Sequence, residues 1–204
     1  MAVTAPILSY FQQSRDALQA AIDDSDFVET VAAITDCVTN AIAAGGKVLL
    51  AGNGGSAADA QHIAGELMCR LYYDRAPIAA VALTPDSSVM TAIGNDYGYE
   101  HVFERQVLGL GRPGDILIAI STSGRSPNIL RAIDAARRIG VTTIGFTGRV
   151  GGEMPGRCDL CLRVPSDSTP LIQQIHITAA HIICGEVEAR LYPRTTATAA
   201  VAAK

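Results

Sequence analysis

The chain lacks an apolar run of the about 20 residues that a helix needs to cross a bilayer. Its N-terminus lacks the basic segment and apolar core of a secretory signal. Its 204 residues carry a formal net charge of −4, and the dense basic patch typical of nucleic-acid-binding proteins is missing. These absences predict a cytoplasmic protein that has neither a membrane nor a nucleic acid as its partner.

The cysteines do not form a framework that indicates disulfides or a structural metal. There are five of them, and Cys158 and Cys161 make a lone C-x-x-C. A four-thiolate zinc site would need a second such pair, which is absent. The residues from 159 to 165 have the pattern of a strand, in which small apolar thiols are common. We interpret both thiols as structural.

Apolar residues make up 49% of the chain, and patterns typical of strands alternate with patterns typical of helices. Two helices are predicted first, at Ile7–Ile22 and Phe27–Ala44. The predicted strands are Lys47–Ala51, Ile78–Leu83, Asp115–Ile120, Thr142–Phe146 and Leu160–Val164. The predicted helices among and after them are Ser56–Arg70, Ser87–Ile93, Glu100–Leu108, Pro127–Ile139 and Pro170–Tyr192.

Apolar strands joined by crossover helices indicate an α/β fold with a parallel, doubly wound sheet. We predict a three-layer αβα sandwich around five strands, preceded by the N-terminal helices. Residues 1–192 are expected to form a single domain, and the low-complexity segment 193–204 to be a disordered tail. Ligands of such sheets bind beyond the carboxyl ends of the strands, near the point where the strand order reverses.

A glycine-rich turn follows the first predicted strand, with the sequence Gly52-Asn53-Gly54-Gly55-Ser56. Glycines let the backbone approach a ligand, and the helix that follows presents free N–H groups to an anion. The pattern G-x-G-x-x-A also suggests a dinucleotide. That interpretation is disfavoured because the next strand ends in Leu83-Thr84-Pro85-Asp86, where the first candidate acid comes late and follows a proline.

A second turn, rich in hydroxyl groups, follows the third predicted strand and precedes a helix that begins at Pro127. Its sequence is Ser121-Thr122-Ser123-Gly124-Arg125-Ser126. One hydroxyl is enough to cap a helix, whereas four of them beside a helix N-terminus can bind the oxygens of a phosphate monoester. Neither turn is followed by the Gly-Lys-Ser/Thr of a Walker loop. We therefore predict a phosphate site.

Four polar residues on two predicted helices are candidates for acid/base or metal chemistry. His62 and Glu66 lie four residues apart on one helix, and Gln173 and His181 lie on the last one. Two imidazoles, a carboxylate and an amide oxygen suit a divalent ion such as zinc. Without a metal, Glu66 and His181 are the natural couple for proton transfer. The other two histidines, 101 and 176, are interpreted as structural or exposed.

Taken together, these motifs resemble the sugar isomerase (SIS) domain family and, within it, the phosphoheptose isomerases. The resemblance covers residues from about Ile7 to Tyr192. The motifs that carry it are Gly52-Asn53-Gly54-Gly55-Ser56, Asp59-Ala60-Gln61-His62 with Glu66, Gly94-Asn95-Asp96, Ser121-Thr122-Ser123-Gly124-x-Ser126, and Ile172-Gln173-x-Ile175-His176 with His181. Each motif is modest by itself, and all five in order are highly specific.

The resemblance implies roles for individual residues. It implies acid/base catalysis by Glu66 and His181. Phosphate binding is implied for Ser56, Ser121, Thr122, Ser123 and Ser126, and sugar contacts for Asn53, Gly54, Gly55, Asn95, Asp96, Glu66 and Gln173. One zinc per subunit is implied on His62, Glu66, Gln173 and His181. A homotetramer with active sites at the subunit interfaces is also implied.

The implied reaction interconverts sedoheptulose 7-phosphate and D-glycero-D-manno-heptose 7-phosphate, the first step of heptose synthesis for the cell envelope. One alternative is a non-catalytic branch of the same fold that binds the replication initiator. That branch lacks the acid/base pair, which Glu66 and His181 provide here. The other is an isomerase of a different phosphosugar, such as arabinose 5-phosphate. The chain departs from many isomerases at Gly65 and at Thr169-Pro170-Leu171, which puts its sugar contacts and substrate preference in question.

Overall fold

The computed structural model describes residues 4–194 of the chain. Residues 193 and 194 follow the last helix, and the rest of the predicted disordered tail lies outside the described residues. The helices are α1 (Thr4–Asp23), α2 (Ser25–Ala43), α3 (Gly55–Met68), α4 (Ser87–Tyr97), α5 (Val102–Leu110), α6 (Pro127–Arg138) and α7 (Thr169–Leu191). The strands are β1 (Val48–Gly52), β2 (Ala80–Ala82), β3 (Ile116–Ile120), β4 (Thr142–Thr147) and β5 (Leu160–Arg163).

The strands form one five-stranded sheet in the order β2-β1-β3-β4-β5. All four pairings are parallel, and Val48 at the start of β1 lies opposite Ala80 on one side and Ile116 on the other. The chain winds outward from β1 to β2 and then crosses back to β3. The strand order therefore reverses between β1 and β3, which makes the carboxyl ends of these two strands the expected ligand site.

Helices cover both faces of the sheet. Since neighbouring residues of a strand point to opposite faces, Leu50 and Ile118 pack into a core built with α2, α3 and α7. Leu49 and Leu117 pack into a second core with α5 and α6. Helix α1 packs outside the first layer, against α2 and α7. The predicted three-layer sandwich with a doubly wound parallel sheet is confirmed.

Local chemistry accounts for several of the helix boundaries. The carboxylate of Asp24 accepts from the N–H of Phe27 at 3.0 Å and so caps α2, and Asp86 caps α4 through Val89 at 2.9 Å. Both α6 and α7 have a proline in their first turn, where the missing N–H costs nothing. No helix among residues 4–194 has both the length and the apolar character needed to span a membrane.

Two elements differ from the prediction. Strand β2 covers three residues, Ala80–Ala82, because it is an edge strand and Pro77 and Pro85 on either side of it have no N–H to donate. The helix predicted at Glu100–Leu108 is divided into a 3-10 turn, Tyr99–His101, and α5. Gly98, with φ of 95°, separates that turn from α4.

Candidate active site

The glycine turn lies at the carboxyl end of β1 and leads into α3, and it brings Gln173 of α7 to the same place. A side chain at position 55 would have its Cβ 2.6 Å from the amide nitrogen of Gln173. Glycine at position 55 therefore leaves room for the amide of Gln173 beside the first turn of α3. Ser56 is 3% exposed in that turn. The predicted substrate residues Gly55, Ser56 and Gln173 come together here.

The side chain of Asn53 fastens this turn to the N-terminus of α6. Asn53 and Asn128 exchange two amide hydrogen bonds, of 2.9 and 2.8 Å. The hydroxyl of Tyr99 donates to the oxygen of Asn53 at 3.1 Å. Asn53 thus holds the turns after β1 and β3 together, and one of its amide hydrogens remains available for a sugar hydroxyl.

The hydroxyl-rich turn lies at the carboxyl end of β3 and is fixed mainly by backbone contacts. The hydroxyls of Ser121 and Ser126 are 3.0 Å apart, within hydrogen-bond distance. The N–H of Gly148, after β4, donates to the carbonyl of Thr122 at 3.0 Å. Gly124 has φ of 62°, and a Cβ there would collide with the carbonyl of Gly151. The sequence of this turn therefore specifies one backbone shape.

A cleft of about 240 Å³ opens beside the hydroxyl-rich turn. It is lined by Thr122, Ser123, Arg125, Gly148, Arg149, Val150, Gly151, Ser166, Asp167, Thr169 and Ile172. Since β1 and β3 are neighbours, the N-termini of α3 and α6 lie at the same edge of the sheet, where N–H groups and hydroxyls favour an anion. We call the turns 53–56 and 121–126 together the phosphate cradle.

His62, Glu66 and His181 form the second polar cluster of the site. The Nε2 atom of His62 is 2.9 Å from Nε2 of His181 and 3.1 Å from Oε1 of Glu66. The three donor atoms all lie within 4.8 Å of one another. The side chains are accessible, with 49% of His62 and 21% of Glu66 exposed. The structure therefore brings the predicted acid/base couple together, and we call these three residues the acid/base cluster.

The donor set of this cluster fits a zinc ion. Zinc ligands at 2.0–2.1 Å in a tetrahedron lie about 3.3 Å from one another, close to the 2.9 and 3.1 Å separations from His62 to its two neighbours. Two imidazoles and a carboxylate with an accessible side are the chemistry of an open zinc site. Among residues 4–194, no other group of three or more His, Cys, Asp or Glu side chains is placed to hold a metal ion.

Gln173, predicted as the fourth metal ligand, has its amide against Gly55. It precedes His181 by eight residues, which is about 12 Å along the axis of α7. Gly55 likewise precedes His62 by about 10 Å along α3. The two helices therefore run in the same direction, with the phosphate cradle near one end and the acid/base cluster two to three turns further on.

Asn95 and Asp96 lie apart from both groups in this chain. They are exposed near the end of α4, and the amide of Asn95 donates to the carboxylate of Asp96 at 2.8 Å. Tyr99, which contacts Asn53, follows them by only a few residues. The predicted sugar contacts of Asn95 and Asp96 therefore remain a prediction.

Sequence patterns gave no signal for Tyr99 and Asn128, whose partner Asn53 is distant along the chain. Asp59 belongs to the motif Asp59-Ala60-Gln61-His62, but the sequence predicts no role for it. Its Oδ2 is buried without a hydrogen-bond partner. Burial raises the pKa of this carboxyl, and the neighbouring His62 opposes the shift. His62 therefore has an electrostatic partner in Asp59 as well as in Glu66.

The remaining histidines and the cysteine pair have structural environments. His176 is 1% exposed and its Nε2 lies 3.2 Å from the carbonyl of Thr147, while the imidazole of His101 contacts Glu104 at 2.7 Å. Burial raises the pKa of Cys158 to about 12 and that of Cys161 to about 11. Thiols in this state are poor nucleophiles and poor metal ligands.

Comparison with known proteins identifies the class to which this fold and site belong. A family model described as the SIS domain matches residues 9–148. The chain is a member of the SIS-domain family and, within it, belongs with the phosphoheptose isomerases.

The relatives that define this branch match over most of their length. The chain is 53% identical over 186 residues to the phosphoheptose isomerase of Burkholderia pseudomallei (strain 1710b), covering 91% of this chain and 94% of the relative. It is 56% identical over 163 residues to that of Rhodospirillum rubrum, covering 80% and 87%. The solved structure of the phosphoheptose isomerase from Neisseria gonorrhoeae matches with a TM-score of 0.86 and 40% identity, covering 92% of this chain and 99% of that one.

Proposed function

We propose that this chain interconverts sedoheptulose 7-phosphate and D-glycero-D-manno-heptose 7-phosphate by proton transfer through a cis-enediol. The observation that carries the proposal is the cluster of His62, Glu66 and His181, whose donor atoms lie within 4.8 Å of one another. A carboxylate and an imidazole at this distance are the groups that aldose–ketose isomerisation requires. The phosphate-binding shape of the cradle supports the same substrate class.

Glu66 is proposed as the base that acts on carbon. It takes the proton from C1 of the open-chain ketose, the C2 carbonyl becomes the second enediol oxygen, and the proton returns to C2 to give the aldose. His181 moves the proton between the two oxygens or assists ring opening. The contacts of His62 Nε2 with His181 and with Glu66, at 2.9 and 3.1 Å, keep the two proposed catalytic groups close together.

The phosphate cradle anchors the other end of the substrate. Its proposed phosphate ligands are the side chains of Ser56, Ser121, Thr122, Ser123 and Ser126. The proposed sugar contacts are Asn53, Gly54, Gly55, Asn95, Asp96 and Gln173. The cradle acts mainly through neutral hydroxyls and N–H groups of the helix N-termini, which bind a dianion in a fixed orientation.

One zinc ion per subunit is proposed at the acid/base cluster, held by His62, Glu66 and His181. Gln173, the predicted fourth ligand, lies about 12 Å along α7 from His181 and would have to come from another subunit. When bound, the ion would polarise the substrate oxygens and favour the enediolate. Measurement of metal content in the wild type and in His62→Ala tests this part. We expect about one equivalent in the wild type and a large loss in the variant, and equal metal in both would contradict the assignment.

We further propose a homotetramer in which each active site combines two subunits. Ser56 and Glu66 are ten residues apart on α3, about 15 Å along its axis. A seven-carbon phosphate spans roughly 10 Å when extended, at about 3.5 Å per three bonds. The cradle of one subunit therefore suits the acid/base cluster of another. Large apolar side chains on α1, among them Leu8 and Phe11, are exposed and suited to subunit contacts.

The product would enter ADP- or GDP-heptose synthesis in the cytoplasm. The test is incubation of the purified protein with sedoheptulose 7-phosphate, with detection of the aldose. Arabinose 5-phosphate and a replication-initiator protein are the comparison ligands. Turnover of the heptose phosphate at a rate well above that of the pentose phosphate supports the proposal. Initiator binding without turnover of either sugar would overturn it.

A further inference from the structure

An irregular segment, residues 69–79, connects α3 to β2 and folds back over the ends of α3 and α7. Its Arg75 forms an ion pair with Glu188 of α7, with 3.1 Å between Nε and Oε2. The two side chains are only 2% and 0% exposed. A buried ion pair often adds little net stability, because desolvation offsets the attraction. The position of the pair, between α3 and α7, points to another role.

Arg75 holds the last turn of α3, which carries Glu66. Its Nη2 donates to the carbonyl of Glu66 at 2.9 Å, and its Nη1 donates to the carbonyl of Leu67 at 2.7 Å. Carbonyls in the last turn of a helix have no partner within the helix. The guanidinium supplies these partners, and its planar fork fixes their direction as well as their distance.

Glu188 fixes the guanidinium in turn. Its carboxylate accepts from the N–H groups of Leu71 and Tyr72, both at 2.9 Å, in addition to Arg75. Burial by itself would raise the pKa of this carboxyl, but these donors outweigh burial and hold the pKa below its ordinary value. Glu188 follows His181 by seven residues, about two turns, so both leave α7 on nearly the same face.

We propose that Arg75 is a positioning residue for the isomerase, and that its bridge to Glu188 sets the placement of Glu66 relative to His181. The bridge joins the carbonyl of Glu66 to the guanidinium of Arg75 and then to the carboxylate of Glu188. Glu188 lies on α7, the helix that also carries His181. This inference rests on the proposed function, because it assumes that Glu66 and His181 act together. Misplacement of catalytic groups by about 1 Å can cost about a hundredfold in rate.

The variant Arg75→Lys tests the proposal because it keeps the positive charge and removes the fork. We expect kcat to fall about tenfold to a hundredfold. KM and the inhibition constant of inorganic phosphate should change less than twofold, since the cradle lies about three turns away. The matched control is Arg157→Lys, at a half-exposed pair with Asp134, and should remain near wild type. A kcat of Arg75→Lys equal to that of the control overturns the proposal.

A double-mutant cycle with Glu66→Gln separates positioning from general stability. If Arg75 acts through Glu66, adding Arg75→Lys to Glu66→Gln should cost little further activity. A full, independent loss in the double variant would contradict positioning. Should Arg75→Lys fail to fold, Arg75→Gln combined with Glu188→Gln removes both charges together and leaves neither one buried without a partner. The same kcat loss and unchanged phosphate inhibition are then expected.

A readout without turnover distinguishes failure of this inference from failure of the proposed function. The chain has four histidines, so imidazole ¹⁵N spectra can be assigned by substitution. In the wild type, the signals of His62 and His181 should show that both Nε2 atoms are engaged, by the proposed zinc ion or by one another, and Arg75→Lys should shift both signals. An inactive wild type that still shows this difference refutes the function but not the positioning. Unchanged imidazole signals in the variant refute the positioning.

Discussion

The phosphate cradle and the acid/base cluster share helix α3 but are built by different means, the cradle with the N-terminus of α6 and the cluster with α7. Ser56 and Ser121 of the cradle are 3% and 5% exposed, whereas 49% of the His62 side chain is exposed. The cradle is held by backbone contacts at two neighbouring strand ends, and the cluster by the packing of α3 against α7. Binding geometry here follows from the sheet, and catalytic geometry follows from helix placement.

The sharpest test of this division is Glu66→Gln, which removes a base and leaves the cradle untouched. We expect kcat to fall by about 10³-fold, within the usual range for loss of a general base. The inhibition constant of inorganic phosphate should stay within twofold. Glu29→Gln, at an exposed position of α2, serves as the control. Near-wild-type turnover of Glu66→Gln would remove Glu66 from its proposed role.

Low pH should reduce the free energy of unfolding through protonation of His176. The imidazole of His176 donates to the carbonyl of Thr147, beside the hydroxyl-rich turn. Burial lowers the pKa of His176 to about 4, against an ordinary value of 6.5. The unfolded chain therefore binds this proton at a higher pH than the folded protein, so stability falls as the pH drops from 6.5 towards 4. The full loss from this group is roughly 3 kcal/mol.

Denaturant unfolding at pH 7 and pH 5 measures this loss. His176→Phe should be less stable than the wild type at pH 7, because it removes one of the two donors to the carbonyl of Thr147 and leaves only the N–H of Val164. Its stability should also depend less on pH over this interval. An equal pH dependence in both proteins would show that other groups cause the acid effect.

The backbone shape of the cradle is tested by Gly124→Ala. The positive φ and the collision with the carbonyl of Gly151 should destabilise the fold by about 1–3 kcal/mol, and KM should rise about tenfold while kcat changes little. Gly109→Ala, in α5 with open space around its Cβ, should be neutral or slightly stabilising. Thermal unfolding and steady-state kinetics measure both effects. A variant that lost kcat and kept KM would break the separation of the two regions.

The smallest expected effect concerns the link between the two turns of the cradle. Asn128→Ala leaves the amide of Asn53 with Tyr99 as its remaining partner. Loss of a hydrogen-bonded pair of this kind costs about 1 kcal/mol, and we expect a rise in KM of about fivefold. Tyr99→Phe, which removes a single hydrogen bond, should have a smaller effect. If Tyr99→Phe raised KM more than Asn128→Ala did, Tyr99 would be the more important partner of Asn53.

The sequence predicts which residues form the cradle and the cluster better than it predicts the contacts that hold them in place. The glycines and serines directly follow apolar strands, and parallel topology brings the ends of β1 and β3 together. The spacing of His62 and Glu66 likewise places both on one helix face. The amide pair of Asn53 and Asn128 could not be predicted, because it depends on how two loops meet across the sheet.

Arg75 shows the same limit more clearly. It lies in an irregular segment, and no periodic pattern marks its direction. Its role can be inferred only when the path of residues 69–79 is known. The two carbonyls that Arg75 contacts belong to Leu67 and Glu66, which precede it by eight and nine residues and lie in α3. The helix position of Gln173 predicts a metal ligand, and the contact of its amide with Gly55 depends on how α3 and α7 pack.

The amide pair of Asn53 and Asn128 also bears on the chemical ageing of the protein. Asn53 precedes a glycine, a context in which an asparagine side chain readily cyclises onto the next backbone nitrogen and deamidates. Hydrogen bonds to both its oxygen and its nitrogen restrict the rotation that cyclisation needs. Conversion to aspartate would also set a carboxylate against the side-chain oxygen of Asn128. The contact that joins the two turns should therefore also slow deamidation at Asn53.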